Sequence, residues 1–101
     1  MDIDTYLSKA WLLGFTNSDG SQISGNVVWG IVEKDNKGRW VPGDYCCTSV
    51  VQNVTGNTIQ TENSTYQSIK EIIRETLPIQ ALPLLRKGHS PKESMFLLSL
   101  L

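Results

Sequence analysis

Apolar and polar residues follow three different rhythms along this chain. Near the start, Ile3, Tyr6, Leu7, Ala10, Trp11 and Leu13 recur at mostly three- and four-residue spacing. That spacing predicts a short helix over residues 4–13, with Asp2 or Asp4 as N-cap and Gly14 at its end. Thr16 to Ser21 is polar and contains Gly20, so it reads as a loop. From Asn26 to Glu33 the period drops to two, with Val27, Trp29 and Ile31 on one face and Val28, Gly30 and Val32 on the other. Apolar residues on both faces predict a strand covered on both sides. Gly30 among them marks a bend or the close approach of another element.

The middle of the chain keeps the strand rhythm. Lys34-Asp35-Asn36-Lys37-Gly38 is a dense charge cluster and reads as an exposed hairpin tip. Pro42-Gly43 should kink the returning chain or sit at a sheet edge. Tyr45 to Thr61 then runs seventeen residues without a charge, broken by Asn53-Val54-Thr55-Gly56-Asn57. Two strands, 45–52 and 58–62, joined as a hairpin account for it. So long an uncharged hairpin needs cover on at least one face, with Val50 in the covered layer. Thr65-Tyr66-Gln67 is a short further strand.

Beyond Gln67 the signals are helical. Ser68-Ile69-Lys70-Glu71 has the form of a capping box, and Ile69, Ile72, Ile73 and Leu77 would share one helix face. Pro78 ends or bends that helix, and Leu82, Leu84 and Leu85 form another apolar segment stopped at Gly88. Ser90-Pro91-Lys92-Glu93 is a second capping box, with proline at the favoured first helical position. The expected fold class is therefore α+β, in a single domain over residues 1–101. An antiparallel curved sheet of about four strands, or a small open barrel, would be flanked by one N-terminal and two to three C-terminal helices.

Charge narrows the function. Ten acidic against nine basic residues leave a net charge of −1, with no basic stripe. Nucleic-acid binding lacks its usual electrostatic footprint. The start of the chain is acidic where a secretory signal would be basic, and no apolar run approaches the roughly 20 residues that span a bilayer. The expected location is cytoplasmic, without membrane contact.

Candidate chemistry is sparse. Cys46 and Cys47 are adjacent in a strand, point to opposite faces, and suit neither a disulfide nor a shared metal; they read as packing residues. With one histidine and no second cysteine pair, a zinc site lacks its ligands, and no cofactor is expected. His89 lies in a loop beside Ser90, which the capping box already uses, so no nucleophile–base pair forms there. The glycines never build a phosphate loop. No catalytic residue stands out. Asp44 is the one acid bordering buried residues, where it would accept turn amides or serve a binding site. Trp40, Tyr45 and Tyr66 lie near it among the strands.

One resemblance is carried by Gly38-Arg39-Trp40-Val41-Pro42-Gly43-Asp44-Tyr45, Cys47-Thr48-Ser49 and Thr61-Glu62-Asn63-Ser64-Thr65-Tyr66. These about 30 residues resemble small uncharacterised bacterial and prophage-type proteins with a Gly-Asp-aromatic, Thr-Ser and Thr-x-Asn-Ser-x-Tyr core. The resemblance implies a small accessory protein and assigns no site. The expected function is non-enzymatic binding of a protein partner, of the immunity, antitoxin-like or anti-defence inhibitor kind, through Trp40, Asp44, Tyr45 and Tyr66. Two alternatives stand beside it. A ligand-binding or catalytic domain would gather Asp44, Thr48, Ser49 and Tyr66 around a pocket. A self-associating subunit, most simply a homodimer, would use Phe96, Leu97, Leu100 and Leu101, because apolar residues surround more of the last helix than one stripe needs.

Overall fold

The computed structural model describes residues 2–101 and is built on one long antiparallel hairpin, β1 (Thr5–Thr16) with β2 (Gln22–Asp35). The loop between them is the predicted one, closed by Asp19, which accepts hydrogen bonds from the Ser21 amide and hydroxyl. The remaining strands are β3 (Tyr45–Cys47), β4 (Val51–Thr55), β5 (Thr58–Thr61), β6 (Thr65–Ser68) and β7 (Ile73–Pro78). Two short helices follow, α1 (Ala81–Arg86) and α2 (Pro91–Leu98).

All seven strands belong to one mixed sheet in the order β3-β2-β1-β6-β5-β4, and β7 also pairs with β1. β6 and β7 lie on the same edge of β1, both parallel to it, β6 beside Thr5–Leu7 and β7 beside Trp11–Thr16. At the other side, β3 and β4 behave as one strand bent at Thr48–Val50. The Thr48 amide donates to the Val28 carbonyl and its buried hydroxyl accepts from the Val28 amide, which ends the pairing with β2. The chain then leaves β2 and pairs with β5. A three-residue link between the two outer strands of this path means that the sheet curls on itself.

Two apolar clusters follow from the alternation along β1 and β2. The concave side holds Leu7, Ala10, Leu12, Val28, Val32, Cys46, Ile59 and Tyr66. The opposite side holds Leu13, Phe15, Val27, Trp29 and Leu77, closed by Ala81 and Leu85 of α1. The predicted face assignment of residues 27–32 agrees with this division, and Cys46 and Cys47 do face opposite clusters. Burial holds the Cys46 thiol neutral, pushing its pKa up to about 12.

Several expectations are overturned. The sheet is mixed and seven-stranded, and the only helices among the described residues hold six and eight residues, so it is not an antiparallel four-strand sheet flanked by three or four helices. The expected N-terminal helix is β1. Its helix-like spacing comes from bulges: register shifts around Leu7 and Lys9 put Leu7 and Ala10, three apart, on one face. The expected helix after Ser68 is largely β7. Ser68 is the end of β6 and donates its hydroxyl to the Lys70 carbonyl instead of capping. Ile73 and Leu77 share a face because a spacing of four satisfies a strand as well as a helix. Val50 is 58% exposed; the covered residues of the uncharged hairpin are Val51, Val54 and Ile59. The second capping box is real in its first half, since the Ser90 hydroxyl accepts from the Glu93 amide. The Glu93 carboxylate turns instead to His89 Nδ1.

Candidate functional site

The bend into β3 and the end of α1 meet at an open cleft of about 410 Å³ lined by Trp40, Asp44, Tyr45, Cys46, Cys47 and Arg86. Three of the four residues expected to bind, Trp40, Asp44 and Tyr45, are thus brought together. Tyr66 is not among them. It is buried in the concave cluster, one strand pair away, and its ring packs under the Arg39 guanidinium at 5.9 Å.

Each side chain of the cleft is positioned by a specific contact. The Tyr45 ring stacks on Trp29 at 6.1 Å and 11°, and its hydroxyl donates to the Arg86 carbonyl at 3.1 Å. Gly88 sits against the same ring. A Cβ there would lie 2.9 Å from Tyr45 Cε1, and its φ of +109° suits glycine alone. Arg86 is held by its Nη1, which donates to the carbonyls of Cys47 at 3.1 Å and Thr48 at 2.8 Å. Arg86 is otherwise exposed, with its remaining guanidinium donors toward solvent. Asp44 accepts from the Val41 amide at 3.0 Å and receives the chain back through its own amide to the Val41 carbonyl. It closes the Pro42-Gly43 turn, the bland role open to it from the sequence.

The polar groups that an active centre would need do not converge. Thr48 is buried and spends its hydroxyl on backbone, donating to the Ser49 carbonyl while accepting from Val28. Ser49 is exposed on the bend, and Tyr66 is buried in the cluster beneath Trp40 and does not line the cleft. Among the described residues no group of three metal-ligating side chains occurs.

Sequence reasoning missed two residues here. Arg86 hides in a segment read only for its leucines, although a basic residue in a last helical turn is a recognisable signal. Asp35 lies in the charge cluster that reads as an exposed tip, yet its carboxylate is completely covered. It accepts from the Thr5 hydroxyl at 2.8 Å and from the amides of Arg39, Trp40 and Lys37 at 2.6, 3.1 and 3.2 Å. The Arg39 Nε lies 3.5 Å away. Burial opposes the charge, but these donors together outweigh it and hold the pKa at about 2. Arg39 in turn donates to Ser64 and Thr5 and lies over the Trp40 ring at 4.3 Å. This network pins the 36–44 loop, and with it one wall of the cleft.

A second surface lies at the far end of the helices. Pro83 and Leu84 of α1, with Leu97, Leu98, Leu100 and Leu101, line an apolar groove of about 500 Å³. Phe96 is 62% exposed, Leu100 66% and Leu101 99%. Leu97 is half-buried in the groove wall.

Neither a protein-family model, nor a curated protein, nor a solved structure matches this chain. No helix among the described residues is long and apolar enough to cross a membrane.

Proposed function

We propose that this chain is a non-enzymatic accessory protein that binds a protein partner through the Trp40–Tyr45–Arg86 cleft. The observation that carries the reading is the company in the cleft. Trp, Tyr and Arg are the side chains that dominate binding hot spots, and here they surround one open depression. Arg86 and Tyr45 are already fixed by hydrogen bonds, so little side-chain entropy remains to be lost on docking. The dispersal of Asp44, Thr48, Ser49 and Tyr66 weighs against the catalytic alternative. The resemblance of residues 38–66 to prophage-type proteins favours a partner of the immunity, antitoxin-like or anti-defence kind. We place the protein in the cytoplasm, where Cys46 and Cys47 remain thiols.

Affinity capture from the encoding cell tests this reading. A protein retained by the wild type should be lost with Arg86→Glu and retained with Phe96→Asp. The purified pair should then bind at least about tenfold more weakly after Trp40→Ala, the scale of a hot-spot truncation. A partner held equally by all three variants would remove the cleft from the function.

The exposed Phe96, Leu100 and Leu101 beside an apolar groove favour self-association as a second reading. The wild type is expected to sediment as a dimer at micromolar concentration, and Phe96→Asp with Leu100→Asp as a monomer that still unfolds cooperatively, at a somewhat lower melting temperature for want of the dimer's stabilisation. A wild-type monomer across that range would end the dimer reading.

A further inference from the structure

The far half of the β1–β2 hairpin carries an irregularity that the cleft does not explain. Leu13 pairs with Val27 and Phe15 with Ile23, so one residue of β1 faces three of β2. The extra residues are accommodated at Gly25, whose φ is +99°. Bulges of this kind re-aim side chains. Here the result is that Gln22 and Asn26 both come to lie over Gly14. A Cβ on Gly14 would sit 3.4 Å from Asn26 Nδ2 and 3.7 Å from Gln22 Nε2.

β7 completes the arrangement from the other side of β1. Its parallel register aligns Arg74 with Leu12 and Thr76 with Gly14, which places both on the same face as that glycine. Thr76 Oγ1 lies 3.7 Å from the same point above Gly14. Together these residues line a polar trough of about 240 Å³ floored by Leu12 and Gly14. Glu75 also lines the trough, although its register with Leu13, a residue of the opposite cluster, starts its side chain from the other face of the strand. Two carboxamides, one hydroxyl and one guanidinium therefore converge over Gly14 and Leu12. None of the four side chains has a hydrogen-bond or ion-pair partner among the described residues.

We propose that this trough binds a carboxylate group, with Arg74 supplying the charge and Gln22, Asn26 and Thr76 the neutral donors. One guanidinium balances one negative charge and presents a fork that matches a planar carboxylate. A phosphate dianion would be left with uncompensated charge. The site is small, below the usual range for drug-sized ligands, so the carboxylate belongs either to a free small acid or to the terminus of an extended peptide. The trough lies on the sheet face opposite to α1 and does not depend on the partner reading of the cleft.

Amide-detected NMR of the full chain tests the proposal directly. The probes are sodium propionate and an N-acetylated tri-alanine peptide, the latter with a free or an amidated C-terminus. Sodium chloride at matched ionic strength is the control. Saturable shifts confined to Gly14, Thr76 and the side-chain amides of Gln22 and Asn26 are expected with propionate, with the free-terminus peptide, or with both. Which of the two binds identifies the source of the carboxylate. Arg74→Gln should weaken the response about tenfold, the scale of a charge-assisted hydrogen bond. Gly14→Ala, whose methyl takes the floor, should weaken it while leaving the rest of the spectrum in place. Equal shifts with chloride, equal binding of the amidated peptide, or an undiminished response in Arg74→Gln would each overturn the assignment.

Discussion

Asp35→Ala should lower the unfolding free energy by about 3 kcal/mol, the low end for breaking a buried charge pair. The carboxylate is fully covered, and its removal strands the Thr5 hydroxyl and three amides of the 37–40 turn. Arg39 is one-third exposed and can recover some hydration, which keeps the loss at that low end. The same group sets a pH dependence. Its pKa is 3.8 as an ordinary aspartate and about 2 in the fold, so the folded state favours the charged form. The associated stability, about 2 kcal/mol, is complete above pH 4. It declines as pH falls below the unfolded value and is gone once pH has passed below 2. Urea unfolding between pH 6 and pH 2 checks both statements: the wild type should lose this increment and Asp35→Ala should not. Because Trp40 donates its amide to Asp35, the variant should also bind a cleft partner less tightly. A variant as stable as the wild type at pH 6 would mean that the turn is held by other contacts.

Gly30→Val should cost about 3 kcal/mol, at the upper end of overpacking effects. A Cβ at this position would lie 2.9 Å from Leu7 Cδ1 and 3.0 Å from the Lys9 carbonyl oxygen. The second neighbour is backbone in the adjacent strand and cannot rotate away. Gly14→Ala is the matched comparison, since its Cβ would meet only side-chain atoms at 3.4 Å or beyond. It should change stability by less than about 1 kcal/mol. Thermal unfolding of the two variants gives the contrast. Equal effects would show that β1 does not press on β2 at Gly30 as the bulge near Leu7 and Lys9 requires.

These two positions also bound the candidate site. Asp35 anchors the loop that carries Trp40 and Asp44, and Gly30 pairs with Cys46, the central residue of β3. The cleft is thus supported by the same hairpin that carries the carboxylate trough on its other half. A partner at one and a small acid at the other would both bear on β2.

Much of the middle of the chain was legible without a structure. Strict alternation at Val27–Val32 became the strand it predicts. The uncharged run after Asp44 does contain a hairpin, but its first strand is broken at Thr48–Val50 and residues 53–55 of the expected break belong to β4, leaving the turn at Gly56-Asn57. The Ser90 cap formed as predicted, because a hydroxyl three residues before a free amide needs only local geometry. The opposite faces of Cys46 and Cys47, and the clustering of Trp40, Asp44 and Tyr45, followed from closeness in the chain.

Only the tertiary structure decided the rest. Residues 5–13 are covered on both faces, so their apolar run has no single period, and bulges around Leu7 imitate a helical one. The pairing of β6 and β7 with the same edge of β1 joins segments some sixty residues apart, and no local pattern encodes it. Asp35 and Arg86 follow the same logic. Each is a charged residue in an unremarkable local setting; Asp35 takes the Thr5 hydroxyl of β1 beside the amides of its own turn, and Arg86 is committed by the carbonyls of Cys47 and Thr48, some forty residues away. Local spacing sets which way a side chain points; which groups it then meets is set by the packing of distant strands.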